Sequence, residues 1–345
     1  MNNKLSVCIV TWNSEKYIEQ CVDSLYNQSY LDFELIVVDN ASTDRTRENI
    51  LKLQKKYAFQ LLLQEYNTGF CGGHNVGIRV AKGKYYMPLN PDVLLTRDYI
   101  ETLIKWIEKE KKVGSATGKL LRMNPETKEA TGIVDSTGIR FLKNRRSIDR
   151  DSGMRDKETK IEAEYVFGAS GAVPMYKMEM LQDVLIGEEV FFENFFAYRE
   201  DVDLAWRAQL RGWKCIYAAK AYAYHVRYNL PERRKEMSPA INMHSVKNRM
   251  IMLYQNVTLK EFLLTGYRFL YYDVMILAYV CLKERTSLQA LKIIWKERKK
   301  IRDRRQLIQT NKKVSYGYLK RWFGEIDSLP MRMENENEKK KNRLE

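Results

Sequence analysis

Apolar positions along the first hundred residues follow two rhythms that alternate. Leu5 to Val10 is a nearly continuous apolar run, the pattern of a strand buried on both faces. Ser14, a residue type that favours helix N-caps, precedes Ile18, Cys21, Val22 and Leu25 at the spacing of one helix face. Phe33 to Val38 predicts a second buried strand. Asp44 is placed to cap a helix carrying Ile50, Leu51 and Leu53, and Gln60 to Leu63 predicts a third strand. A glycine-rich stretch, Asn67 to Gly77, leads into a short helix, and Tyr85 to Leu89 predicts a fourth strand. Strands and helices alternating in this way imply an α/β fold, a doubly wound and mostly parallel sheet. Ligands of such sheets bind beyond the carboxyl ends of the strands, so the polar residues there are the first place to seek chemistry.

Beyond Leu121 the pattern loosens. Residues 124–164 are rich in charge and weak in periodicity, which predicts a long excursion or flap. Tyr165 to Val173 reads as a glycine-interrupted strand, Lys177 to Val184 as a helix, and the chain after about Ser245 as wholly helical. Glu334 to Glu345 reads as disordered. These shifts divide the chain into residues 1–244, with halves 1–121 and 122–244, a basic helical extension over 245–333, and a tail over 334–345.

The chemistry of the whole chain narrows the classes. Five cysteines form no CxxC pair, which argues against a disulfide framework and a cysteine zinc site. No uncharged apolar run reaches about 18 residues, and the first apolar run is too short for a signal peptide, so the expected location is the cytoplasm. The 59 Lys and Arg against 44 Asp and Glu leave a net charge of +15. Nineteen of the basic and nine of the acidic residues lie in Lys283 to Glu345, so a polyanionic partner is expected at that end.

Four polar clusters close the predicted strands. Thr11-Trp12-Asn13 follows the first and reads either as a plain strand-to-helix turn or as a ligand contact. Asp39, one step past the second strand, can accept hydrogen bonds from a ribose or a pyrimidine N–H. Gly69, Gly72 and Gly73 would let backbone N–H groups approach a phosphate, or form a tight turn with no ligand. Their spacing matches neither a dinucleotide fingerprint nor a Walker loop. Asn90-Pro91-Asp92 ends the fourth strand, where a carboxylate is well set to bind a divalent cation bridging a diphosphate. Downstream, Glu200, Asp201 and Asp203 crowd a helix start, and clustered carboxylates raise one another's pKa as a general base requires. His225 follows a strand-like Tyr222-Ala-Tyr224.

Together these clusters resemble the family 2 glycosyltransferases, and among them the bacterial rhamnosyltransferase-like members that build cell-surface polysaccharide. The resemblance runs from about Lys4 to Val226 and rests on VTWN at 10–13, VVDNASTD at 37–44, NTGFCGGHNVGI at 67–78, LNPDV at 89–93 and YREDVDLAWRAQLRGW at 198–213. It implies a GT-A fold that binds a nucleotide-diphosphate sugar, with Thr11, Trp12, Asn13 and Asp39 at the base and ribose and Asn67, Gly73, Asn75 and Asn90 beside the donor. By the same resemblance Asp92, with His225, would hold Mg²⁺ or Mn²⁺. Asp201 would be the catalytic base of an inverting transfer, and Glu200 and Asp203 neighbours that orient it or the acceptor. Two departures stand out, a single carboxylate in NPD and Cys71 where relatives carry a small residue.

The expected acceptor is a hydroxyl of a glycan or lipid-linked glycan. In the extension, Phe262 to Leu282 is dense in Leu, Tyr, Phe and Met, and Trp295 to Arg305 is a polybasic run. This pattern reads as a helical subdomain packed on the sheet or as a peripheral surface for anionic lipid at the inner face of the plasma membrane. No nucleic-acid motif accompanies the charge, and nucleic acid is not an expected partner. The sequence leaves two rivals, a nucleotidyltransferase and a non-catalytic basic scaffold. The first lacks a basic Gly-rich run near the first strand, and the second would not need Asp39, Asp92 and Asp201.

Overall fold

A computed structural model of the chain describes residues 5–227, 234 and 237–324. The predicted alternation is present as β1 (Leu5–Thr11), α1 (Ile18–Tyr26), β2 (Phe33–Asp39), α2 (Thr46–Lys56), β3 (Gln60–Leu63), α3 (Gly69–Val80) and β4 (Tyr85–Pro88). β1 lies between β2 and β4, parallel to both, and β3 extends the sheet beyond β2. The chain therefore winds outward through β2 and β3 and then returns to the other side of β1. That reversal opens a crevice at the carboxyl ends of β1 and β4, the usual ligand position in such a sheet. Ser14 does not cap α1, which starts at Ile18 without a side-chain cap; its hydroxyl instead accepts from Trp12 N.

The chain continues through β5 (Val93–Leu95), α4 (Tyr99–Ile107) and β6 (Val113–Met123). The expected flap is ordered instead. It contains β7 (Ala130–Ser136), paired antiparallel with β6, and a hairpin of β8 (Ile139–Phe141) and β9 (Ser147–Asp149). β7 is exposed along its first residues and buried at its end, so it never develops a helical or fully apolar period. Of the glycine-interrupted strand expected over 165–173, only the start is a strand, within β10 (Glu164–Val166) at the sheet edge; the next strand, β11 (Met175–Lys177), follows it between β6 and β4. Residues 167–174 cross between them. Gly168 allows this, because a Cβ there would overlap Ala205 of the helix above.

α5 (Met178–Asp183), α6 (Glu200–Leu210) and β12 (Lys214–His225) follow, with β12 parallel to β6. The last elements are α7 (Pro239–Asn256), α8 (Leu259–Lys283), α9 (Gln289–Lys296), α10 (Arg298–Thr310) and α11 (Tyr316–Leu319). Helical structure thus begins at Pro239 rather than Ser245, with Ser238 as a true cap accepting from Ile241 N. One face of the sheet is closed by α1 and α4, through Ile18, Val22, Leu103 and Ile107 against Val7 and Val37. The other face buries Ile36, Val38 and Trp206 in one cluster with Ile251, Phe269, Ile301, Ile308 and Phe323. The C-terminal helices therefore share a core with the sheet. The expected tail, 334–345, and residues 325–333 of the extension lie outside the described residues.

Candidate active site

β12 is long enough to run past the sheet and pair antiparallel with β5, setting His225 opposite Val93. Val226 N then donates to Asp92 O at 3.1 Å. The side chains follow, with His225 Nε2 3.6 Å from Asp92 Oδ1. That separation is too long for a hydrogen bond, and the buried Asp92 Oδ1 has no hydrogen-bond partner. The other ring nitrogen, Nδ1, donates to Asp135 Oδ2 at 2.8 Å. Asp135 is buried and also accepts from Arg227 Nη1 at 3.0 Å. Burial alone would lift its carboxyl, but His225 and Arg227 hold it below its usual range. Burial likewise opposes protonation of His225, yet the charge of Asp92 together with the hydrogen bond and charge of Asp135 prevails and raises it to about 10.

This arrangement fits a divalent cation. An orphaned carboxylate oxygen faces an imidazole nitrogen, and a buried carboxylate orients the ring from behind, as in many metal sites. Among the described residues no three His, Cys, Asp or Glu side chains form a metal-binding group, so a cation held by Asp92 and His225 would complete its sphere with ligand oxygens and water.

Asp201 stands across the crossing loop from this pair. Its Oδ2 accepts from Gly171 N at 2.9 Å, and the neighbouring Ala172 O accepts from Asn90 N at 2.9 Å. One short loop thus ties the NPD turn to the start of α6. The chain enters that helix through three non-glycine residues of positive φ, Phe196 at 66°, Tyr198 at 71° and Arg199 at 67°. Such conformations are costly and persist only where surroundings impose them. Here Asn248 Nδ2 of α7 donates to the carbonyls of Phe195, Ala197 and Tyr198 at 3.0, 2.8 and 2.7 Å. From the other side Cys71 N donates to Phe196 O.

Burial, followed by the neighbouring charge of Asp201, pushes the Glu200 carboxyl up. Burial and the charge of Asp149 push Asp201 up as well. Adjacent carboxyls in this condition resist being ionised together, which suits proton transfer. Asp203 does not join them. Two positions along the helix from Asp201, it is fully buried, paired to Arg207 at 2.8 Å and bound by Asn256 Nδ2 at 2.7 Å. It anchors α6 to α7 and has no place in the cleft.

On the other side of the crevice, Thr11 Oγ1 donates to Asp39 Oδ1 at 3.1 Å. Asp39 is sealed from solvent, and its Oδ2 also takes Ser42 N and the Arg47 guanidinium, the latter at 2.6 Å. Trp12 is 56% exposed at the rim, and Asn13, with φ of 51°, accepts from Thr43 N. Asn67 Oδ1 accepts from Gly69 N at the start of α3.

The glycines, read as a phosphate cradle or a tight turn, lie in the first turns of α3, which begins at Gly69. A Cβ on Gly73 would overlap Val10, so this glycine serves close helix–strand packing. Asn75 is also structural. Its amide donates to Phe191 O and Glu193 Oε1 and accepts from Val190 N and Phe191 N, which uses all four of its hydrogen bonds. Sequence reasoning missed Asp135, Asp149, Arg227, Arg47 and Asn248. Asn40 was also missed; its Nδ2 donates to Gly69 O and fastens β2 to α3. For Asn40 a signal existed, since it directly follows Asp39 at a strand end; the others sit in segments without a motif.

Residues 6–184, half of the chain, match the sequence profile of glycosyl transferase family 2. The chain belongs to that family. An uncharacterised glycosyltransferase of Haemophilus influenzae is 33% identical over 135 residues, covering 38% of this chain and 40% of the relative. A poly(ribitol-phosphate) beta-glucosyltransferase of Bacillus spizizenii is 34% identical over 150 residues, covering 39% of this chain and 23% of the relative. The match thus spans less than half the length of either relative.

Solved structures extend the likeness over most of the fold. S. aureus TarS 1–349 in complex with UDP-GlcNAc has a TM-score of 0.54 at 20% identity and covers 84% of this chain and 80% of that one. GalNAc-T7 with UDP, GalNAc and Mn²⁺ has a TM-score of 0.58 at 16% identity, covering 73% and 47%. The architecture of this family 2 chain is the expected GT-A fold, with helices closing its C-terminal end.

Proposed function

We propose that this chain is an inverting glycosyltransferase that moves a sugar from a nucleotide-diphosphate donor to a hydroxyl of a glycan or lipid-linked glycan. The observation that carries the reading is that adjacent residues of the 167–174 loop bind both Asp201, through Gly171 N, and the NPD turn, through Ala172 O, whose Asp92 lies against His225. The base and ribose of the donor lie at Thr11, Trp12, Asn13 and Asp39, with Arg47 closing over the Asp39 carboxylate. Asn67 and Asn90 border the diphosphate. Asp92 and His225 would hold Mg²⁺ or Mn²⁺, which when bound offsets charge on the departing diphosphate. Asp201 accepts the proton of the acceptor hydroxyl as it attacks the anomeric carbon opposite the nucleotide; burial and the charge of Asp149 keep its carboxyl basic, and Glu200 orients it or the acceptor. A single displacement of this kind inverts the anomeric configuration.

Support comes from the family and from what its relatives carry. TarS was solved with UDP-GlcNAc and a Pyrobaculum calidifontis mannosyltransferase with GDP-Man and Mn²⁺. Thymidine-diphosphate rhamnose is our first choice of donor, from the sequence resemblance, with uridine-diphosphate sugars next.

A thermal-shift series of nucleotide sugars with Mn²⁺ tests the donor, because a bound ligand stabilises the folded state by mass action. Asp201→Asn tests the base. Transfer should fall by about 10³-fold or more while donor binding stays within a few-fold of wild type. A variant that kept most of its turnover would remove Asp201 from the role.

A further inference from the structure

α8 turns a long apolar face to solvent. Leu263, Leu264, Tyr267, Leu270, Tyr271, Val274, Met275 and Leu282 are all exposed, Leu263, Tyr271 and Leu282 to more than 70%. Helix periodicity places them on one side, over about 28 Å of its length. One cation borders this face, Arg268, which stacks on the Tyr267 ring and donates to its hydroxyl at 2.9 Å. Glu261 is buried against Arg145 at 2.7 Å, and Asp273 pairs with Arg249 at 2.6 Å. An apolar face of this size on a folded chain marks an interaction surface. No described helix is long and apolar enough to cross a membrane, so a lipid-facing role for α8 means lying along the surface.

Charge selects the occupant. Residues 283–324 carry fourteen Lys and Arg against three Asp and Glu, and Trp295, 69% exposed, stands among them on α9. A second copy of the chain would bring the same excess of positive charge, whereas an anionic bilayer brings the opposite sign. Tyr and Trp among aliphatic side chains also suit the headgroup boundary.

The other side of α8 leads to the cleft through a short series of contacts. Arg145 in the β8–β9 turn donates to Glu261 and Thr265 of α8, and Ser147 two residues later accepts from Arg199 Nη1. Arg199 immediately precedes Glu200 and Asp201. We infer that the exposed face of α8 seats in the headgroup layer of an anionic membrane, with the basic α9 and α10 against the lipid phosphates. The acceptor is then a glycan whose lipid anchor lies in that membrane. This last step rests on the proposed transferase reading; the docking itself does not.

Sedimentation with phosphatidylcholine vesicles, with and without phosphatidylglycerol, tests it on the full chain. Wild type should bind the anionic vesicles at least about tenfold better than neutral ones. Leu263→Glu with Tyr271→Glu should lose that binding by a similar factor while keeping the wild-type melting temperature, since both positions are solvent-facing. Lys292→Glu with Lys296→Glu should erase the preference for anionic lipid. Equal binding by the α8 variant would overturn the inference, as would a wild-type dimer that this variant converts to monomer without any vesicle binding. Asp201→Asn should bind vesicles as wild type does, so loss of transfer and loss of docking are read separately.

Discussion

Asn248 shows how much a single buried amide can determine. It is fully buried and placed on a helix distant in sequence from the cleft, yet it holds three carbonyls of the turn that launches Glu200 and Asp201. Asn248→Ala would leave those carbonyls unpaired beside three strained φ angles and let the turn relax. The expected result is a fall in kcat of about 10–100-fold with the donor dissociation constant nearly unchanged, measured by steady-state kinetics and donor titration. Nothing in the sequence marks this residue, because a polar side chain inside a helix has no period or motif to betray its partner. Asp201 could be read only as one of three crowded carboxylates. Which of the three faces the cleft depends on helix geometry and on what packs behind it, and that geometry separates Asp203 from the pair.

Glu200 makes a second prediction at this scale. Its folded carboxyl is raised above the unfolded value by burial and by Asp201. Between those two values the folded state holds the extra proton, so its contribution to stability is present at acid pH and lost as pH rises through the raised value. Glu200→Gln should abolish that decline. A melting series from mildly acid to mildly alkaline pH should show wild type falling relative to the variant. Because burial and the charge of Asp149 raise the Asp201 carboxyl, the acid limb of kcat/KM should lie above the ordinary carboxylate range of about 4.

At the level of elements, the alternating strands and helices of the donor side were legible because each buries a complete apolar face. The β7 to β9 region was not, since its strands are short, antiparallel and half exposed, and their residues acquire meaning only through partners far along the chain. The glycines of α3 were visible, but their packing against distant residues was not. Gly69 has φ of 71°, and a Cβ there would overlap the Phe196 carbonyl and ring. Gly69→Ala should therefore destabilise the fold by about 1–3 kcal/mol, read from denaturant unfolding, and displace the same turn that Asn248 holds.

Across the whole molecule, the basic C-terminal third shares its core with the sheet, even though the charge pattern sets it apart. Ile251, Phe269, Ile301 and Phe323 are buried in one cluster with Ile36, Val38 and Trp206, and Phe323 packs directly on the Trp206 ring. A chain ending after residue 238 should therefore show no cooperative thermal transition, where the full chain shows one.

The antiparallel pairing of β5 with β12 has a further consequence, for synthesis. Asp92 leaves the ribosome 133 residues ahead of His225, and Asp201 emerges between them. A nascent chain that has completed its donor side thus holds an unmatched carboxylate, with neither its imidazole nor its base in place. On the proposed reading, activation of a costly nucleotide sugar waits until β12 has docked. A fragment released early would be unable to squander donor by hydrolysis.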